Sequence, residues 1–229
     1  PDGFLALRDY YTYDYEDPIL AGTWEAAYWS VQVAVTAAAL VQGGARVSYA
    51  LCRSPGHHAT SDQYGGFCYL NNAAAAARSL VSGGPVAILD LDYHHGNGTQ
   101  SIFYADPSTL YVSLHADPSQ DYPYYWGFAD ETGAGRGLGT NLNLPLPLGC
   151  RDAEYLAALD RGLETVAAFR PASLVVSLGA DAVAGDLIGK FDLSLAAWAQ
   201  AAQRVENLGL PTVIVQEGGY DLASLGTSV

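Results

Sequence analysis

The sequence predicts an α/β protein, a three-layer open parallel sheet with helices on both faces. Three observations lead there. Short apolar runs recur along the chain, segments of helical composition separate them, and the runs are apolar at successive positions, as in strands buried on both faces.

The elements follow in order. From Thr23, TWEAAYWSVQVAVTAAALVQGG reads as a helix with Thr23 as N-cap, Glu25 in its first turn and Gly43-Gly44 as its stop. VSYAL (47–51) reads as a strand. The Ala-rich run after Asn71-Asn72 makes a second helix ending at Gly83-Gly84, and VAILDLD (86–92) is a strand of the buried type. TLYVSL (109–114) is a strand, DAEYLAALDRGLETVAAF (152–169) a helix closed by Pro171, and SLVVSL (173–178) another strand. Ser194 caps a helix through Leu208, ended by Gly209-Leu210-Pro211, and TVIVQ (212–216) is the last strand. Residues 115–149 break this rhythm. They are rich in Gly, Pro and aromatics and read as a long loop that lines a site. With no repeat and no low-complexity linker, the 229 residues are expected to form a single domain.

Composition removes several function classes. Ten Lys+Arg against 24 Asp+Glu give a net charge of −14, which excludes a basic nucleic-acid footprint. A hydrophobic content of 50% with only 15% charged residues excludes a disordered acidic chain. Cys52, Cys68 and Cys150 are odd in number, widely spaced and free of C-x-x-C, against both a disulfide framework and a thiolate zinc site, so reducing cytoplasm is the expected location. The Ala-rich first helix carries Glu25, Gln32 and Gln42, and neither a membrane span nor a signal peptide is expected. The chain opens at Pro1, contains no Met and stops at Val229 shortly after a Gly-Gly-Tyr turn, and so reads as a fragment of a longer protein.

In an open parallel sheet, ligands bind beyond the carboxyl ends of the strands. After strand 47–51 comes RSPGHHA, with His57 and His58. Strand 86–92 runs into LDLDYHHGNG, with Asp90, Asp92, His94 and His95. After strand 173–178 comes GADAVAGD, with Asp181 and Asp186, and after 212–216 comes EGGYD, with Glu217 and Tyr220. If the strand extends through His94, Asp90, Asp92 and His94 share one face. Asp92 and His94 then bind one metal, completed by Asp181. Three protein ligands with an open position are the pattern of a catalytic zinc site, and the N/O donors equally suit Fe(II), Co(II) or Mn(II).

Each residue alone has a plainer reading. A strand-end Asp is most often a cap or turn former, Tyr220 a packed aromatic, and Gly218-Gly219 a turn. His115 is expected to satisfy a backbone group, Cys68 to be an inert buried thiol, and the carboxylates from Asp9 to Asp17 to form a solvated face. The convergence of four of the five histidines with several carboxylates at one sheet edge favours a site.

The ordered blocks RSPGHHA, YGGFCYLNNA, LDLDYHHGNGTQSIFY, VSLHADP, SLGADAVAGD and EGGYD resemble the zinc-dependent deacetylase family of the arginase/deacetylase fold, which includes histone deacetylases. YYWGFADETGAG together with GNGTQ is more similar to the bacterial acetylpolyamine amidohydrolase branch. The resemblance runs from about Pro18 to Tyr220 and implies Asp92, His94 and Asp181 as ligands of Zn2+, with Fe2+ or Co2+ as alternatives. It implies His58 as general base and then acid, and His57 as an electrostatic partner oriented by Asp90. Asn97 stands opposite His58 where many members carry Asp, and an amide leaves the imidazole neutral more readily. Tyr220 matches the tyrosine that donates to the oxyanion. Gly65, Gly66 and Phe67 match a narrow substrate tunnel.

The family's structural K+ or Na+ would lie at Asp90, Ser113 and the carbonyls of Asp92, His94 and Leu114, with a second near Phe103, Asp106 and Thr109. The implied reaction is hydrolysis of the N-acetyl amide of a small cationic amine, for which an acidic protein is suited. Glu16 and Asp17 are expected at the tunnel mouth, paired with a distal ammonium. The alternatives are a protein acetyl-lysine deacetylase, disfavoured by the long 115–149 loop, an arginase-like ureohydrolase, which needs a dinuclear site, and a non-catalytic acyl-amine binding protein, disfavoured by the joint presence of His58 and Tyr220. No nucleic-acid or membrane partner is expected, and a homodimer is compatible. Against the family pattern, the chain is expected to be truncated at both ends, lacking a first strand and a C-terminal segment.

Overall fold

The computed structural model describes residues 10–223 and 225–229. In chain order the elements are α1 Thr23–Gln42, β1 Val47–Ala50, α2 Asn72–Leu80, β2 Val86–Asp90, α3 Asn97–Phe103, β3 Thr109–Ala116, β4 Asn141–Leu146, α4 Asp152–Phe169, β5 Ser173–Leu178, α5 Leu195–Glu206, β6 Thr212–Gln216 and α6 Leu225–Ser228. The strands form one sheet in the order β1-β6-β5-β2-β3-β4, every pair parallel.

The pleat explains why the strands are apolar at every position. Along β2, Ala87 and Leu89 point to one side and Val86 and Ile88 to the other. Along β5, Leu174 and Val176 oppose Val175. The first side packs against Leu159, Leu163 and Val166 of α4 and Trp198 and Ala201 of α5. The second packs against Ala34, Ala37, Ala38 and Val41 of α1 and Ala73, Ala76 and Ala77 of α2. Alanine at both facing surfaces sets a short interhelical distance. The three-layer parallel architecture expected from the sequence is the one observed.

Several local expectations are corrected. Residues 115–149 are not all loop, because His115 and Ala116 complete β3 and Asn141–Leu146 form β4. The Pro at 145 disguises that strand, and β4 tolerates it as the outermost strand of the sheet. α3 was not anticipated, since its Gly-flanked sequence NGTQSIF reads as a turn. Gly22, not Thr23, occupies the N-cap of α1, and Thr23 Oγ1 instead accepts from Leu20 N at 2.9 Å. Ser194 does cap α5, accepting from Ala197 N at 3.1 Å, and that helix ends at Glu206. No helix among the described residues is long and apolar enough to cross a membrane.

Candidate active site

β2 ends at Asp90, so the shared strand face expected for Asp90, Asp92 and His94 does not exist. Successive aspartate turns bring the side chains together instead. Asp92 N donates to Asp90 Oδ1 at 3.2 Å, and His94 N donates to Asp92 Oδ1 at 2.8 Å. Asp181 arrives on a single 3-10 turn, Ala180–Ala182, after the neighbouring strand β5, and its Oδ1 accepts from Tyr93 N at 3.1 Å. His94 Nδ1 consequently lies 3.1 Å from Asp181 Oδ2 and 3.3 Å from Asp92 Oδ1. Gly179 and Gly218 make room for this, because a Cβ at either would press on the Asp92 and Asp181 carboxylates.

One ligating atom from each of Asp92, His94 and Asp181 lies within 4.8 Å of the other two, and all three residues are buried. Burial and the facing Asp92 carboxylate push Asp181 up to about 6. Burial opposes charge on Asp92 too, but His57 and His94 hold its carboxyl well below the usual range. Two crowded carboxylates and an imidazole fit a divalent cation, which would neutralise them in place of protons.

The tandem histidines sit beside this cluster, their rings 4.1 Å apart. The segment before them is pinned by Glu217, whose Oε2 accepts from Gly56 N at 2.6 Å and His57 N at 3.1 Å while Oε1 accepts from Ser177 Oγ at 3.1 Å. His57 Nδ1 faces Asp90 Oδ2 at 3.1 Å, and Tyr111 OH donates to the same oxygen at 2.9 Å. Burial works against charge on His57, but Asp92 and Asp90 outweigh it and hold the imidazole well above its ordinary value. His58 goes the other way. Burial and the facing His57 and His94 hold it well below that value, and its Nδ1 lies 2.7 Å from Asn97 Oδ1. With Nδ1–H donating to the amide oxygen, Nε2 is left as a free acceptor. Neighbouring imidazoles with opposed shifts are suited to separate charge-stabilising and proton-accepting roles.

Tyr220 is set by its backbone N–H, which donates to Asp186 Oδ2 at 2.6 Å, and by edge contact with Phe67 at 5.9 Å. Burial raises its hydroxyl above the ordinary phenol range, so it remains a donor. Gly66 and Phe67 both have left-handed φ, 59° and 65°. A Cβ at Gly66 would strike the His58 ring. Tyr122, from the loop between β3 and β4, packs 5.1 Å from His58 and 6.1 Å from His94.

Asp14 ties these walls together, its Oδ2 accepting from Gly66 N at 2.6 Å and Tyr122 OH at 3.0 Å, while Tyr13 OH donates to His58 O at 2.6 Å. Sequence reasoning missed Tyr13, Asp14 and the anchoring role of Glu217; a carboxylate directly after a buried strand was the available signal for the last. Asp17 departs from the solvated face expected of it: it is 7% exposed, its Oδ2 has no hydrogen-bond partner, and burial with the adjacent Asp14 pushes it up to about 8. Glu16 is exposed, so the expected solvated face is only partly one; Asp9 lies outside the described residues.

Asp90 and Ser113 are register partners on β2 and β3, next to Leu114, and Ser113 Oγ lies 2.8 Å from His115 Nδ1. At the second set, Asp106 is engaged by Arg78 and by Ser108 N and Oγ, Arg78 covers Phe103, and Thr109 Oγ1 is buried without a partner. His115 satisfies a backbone carbonyl as expected, Gly127 O at 2.9 Å. His95 is fully buried against His115, at 4.5 Å between rings. A concavity of about 650 Å³ lies against α5 and β6, is lined by Trp198, Ile214 and Val229, and holds none of these groups. Convergence of side chains marks the site.

The fold and this cluster define the class. Residues 5–229 match the histone deacetylase domain, and the chain belongs to that family. Within it, the chain is 47% identical over 228 residues to acetylpolyamine amidohydrolase 1 of Pseudomonas aeruginosa, covering 99% of this chain and 66% of that protein. The crystal structure of an acetylpolyamine aminohydrolase from Burkholderia pseudomallei superimposes with a TM-score of 0.94 at 48% identity, over 95% of this chain and 64% of that one. Histone deacetylase clr3 of Schizosaccharomyces pombe is 43% identical over 203 residues, 84% of this chain and 30% of that protein. The chain thus spans just under two thirds of the length of the acetylpolyamine relatives.

Proposed function

We propose that this chain is the catalytic region of a zinc-dependent deacetylase that hydrolyses the N-acetyl amide of a small cationic amine of the acetylpolyamine type, releasing acetate and the free amine. The observation that carries the reading is His58, a buried imidazole whose Nδ1 lies 2.7 Å from Asn97 Oδ1, directly beside the Asp92, His94 and Asp181 donor set, with burial and its histidine neighbours favouring its neutral form. Those three residues would hold zinc, or Fe2+ or Co2+ in its place, which supplies a Lewis acid for the carbonyl and activates water.

The chain's own groups then divide the work. His58 Nε2 takes the proton of the attacking water and returns it to the departing nitrogen. His57, charged between Asp90 and Asp92, opposes the negative charge that develops. Tyr220 donates its hydroxyl to the oxyanion, and Gly66, Phe67 and Tyr122 exclude water and admit a slender acyl-bearing chain. K+ or Na+ at Asp90 and Ser113 would stiffen the β2–β3 junction beneath His57. The net charge of −14 draws cationic substrates towards the protein, and cytoplasm remains the location proposed from the cysteines.

A panel of acetylputrescine, acetylspermidine and acetyl-lysine peptides, assayed for acetate with the zinc-loaded protein, tests the reading. Larger kcat/KM for the acetylpolyamines supports it. Preference for the peptides replaces it with a protein deacetylase, and no acetate from any substrate ends it.

A further inference from the structure

We propose that His57, Cys68 and Glu217 form a second metal site, separate from the Asp92, His94 and Asp181 set, that takes a borderline-soft divalent cation such as Zn2+, Co2+ or Cd2+. One ligating atom from each lies within 4.8 Å of the other two, and all three residues are buried. They come from three separate segments: the loop after β1, the tunnel turn and the end of β6. Their meeting is therefore a product of the fold and not of sequence adjacency.

The donors are also prepared for an ion. Glu217 is oriented by Gly56 N, His57 N and Ser177 Oγ, the kind of surrounding bonds that fix a ligating carboxylate. His57 Nδ1 is occupied by Asp90, so a metal would take Nε2, 3.6 Å from Asp92 Oδ1 and beyond hydrogen-bond length, displacing the proton of the imidazolium to solvent. The Cys68 thiol donates weakly to Gly66 O at 3.3 Å, and on binding metal it releases its proton to solvent. Thiolate, carboxylate and neutral imidazole cancel a divalent charge as completely as the donors of the first set do. A mixed N, S, O set selects zinc, cobalt or cadmium over Mg2+ or Ca2+, which require oxygen. Cys52 and Cys150, whose thiols meet Ser30 O and Arg151 O, belong to no such group among the described residues.

The effect on turnover rests on the proposed hydrolase reading. A metal on His57 Nε2 removes the charged imidazole from the reaction, so the second site is inhibitory.

Titration of the chain with CoCl2, followed by absorption, tests the site without any assay of activity. Oxygen and nitrogen donors produce no sulfur-to-cobalt charge-transfer band. The band is expected at the second equivalent in the wild-type chain, and from the first equivalent in Asp181→Ala. It is expected to vanish in Cys68→Ser and Cys68→Ala and to survive in Cys52→Ser and Cys150→Ser. No band at excess cobalt, or a band that survives both Cys68 substitutions, overturns the proposal. In acetate-release assays, the ZnCl2 concentration that halves the rate should rise at least tenfold in Cys68→Ser; an unchanged value overturns the inhibitory role. A chain that shows the band at excess cobalt yet releases no acetate at one equivalent of zinc, where the second site is still empty, refutes the hydrolase reading and leaves the second site standing.

Discussion

At the scale of single residues, environment assigns different tasks to identical side chains. His57 and His58 are neighbours in sequence, yet one faces Asp90 and Asp92 and the other the amide of Asn97, and their pKa values move apart accordingly. Tyr220 is the residue whose removal best separates chemistry from binding. Tyr220→Phe is expected to lower acetate release by roughly 10²–10³-fold, the usual cost of losing one oxyanion donor, with metal content by atomic absorption unchanged. Asp17 yields a second prediction. Its folded pKa of about 8 lies above the unfolded carboxylate value, so the folded state holds a proton that the unfolded state has lost. The associated stability is full below about pH 4 and disappears as pH rises through 8. In Asp17→Asn, thermal midpoints measured across that range should fall less with rising pH than in the wild type; parallel profiles would contradict this.

At the scale of elements, burial on both faces of the sheet dominates. Leu159 of α4 is fully buried against the sheet, whereas Leu40 of α1 is 57% exposed. Leu159→Ala should cost about 2–5 kcal/mol and Leu40→Ala less than about 0.5 kcal/mol, measurable by denaturant unfolding. The same burial made the fold readable from sequence, because VAILD, SLVVSL and TVIVQ have no polar alternation and helices of ordinary length lie between them. β4 was unreadable because NLNLPL alternates and contains Pro145, and its inward Asn141 and Asn143 are held by Gln100 from α3, an element equally hidden by its glycines. The site divides likewise. Asp92, His94, Asp181 and the tandem histidines are legible because strand ends announce them. Asp14 and Tyr13 are not, since their contacts with Gly66, Tyr122 and His58 span long stretches of chain and follow no motif.

At the scale of the whole molecule, the buried carboxylates near the sheet's carboxyl edge would couple folding to the binding of the proposed metal. Crowding Asp90, Asp92, Asp181 and Glu217 around two histidines is costly without a cation, and any ion that binds only the folded chain stabilises it. Zinc at a hundred times its Kd should add about 2.7 kcal/mol, a rise of roughly 5–11 °C in Tm for a domain of this size, reversed by a chelator and much reduced in Asp181→Ala. The central claim is that the Asp92, His94 and Asp181 set and His58 together hydrolyse an acetyl amide. Its most direct test follows acetate release from acetylputrescine as zinc is titrated into the metal-free protein. The rate should rise in proportion to metal up to one equivalent and remain near zero in Asp181→Ala and His58→Ala. Acetate released equally with and without zinc, or undiminished in either variant, would contradict it.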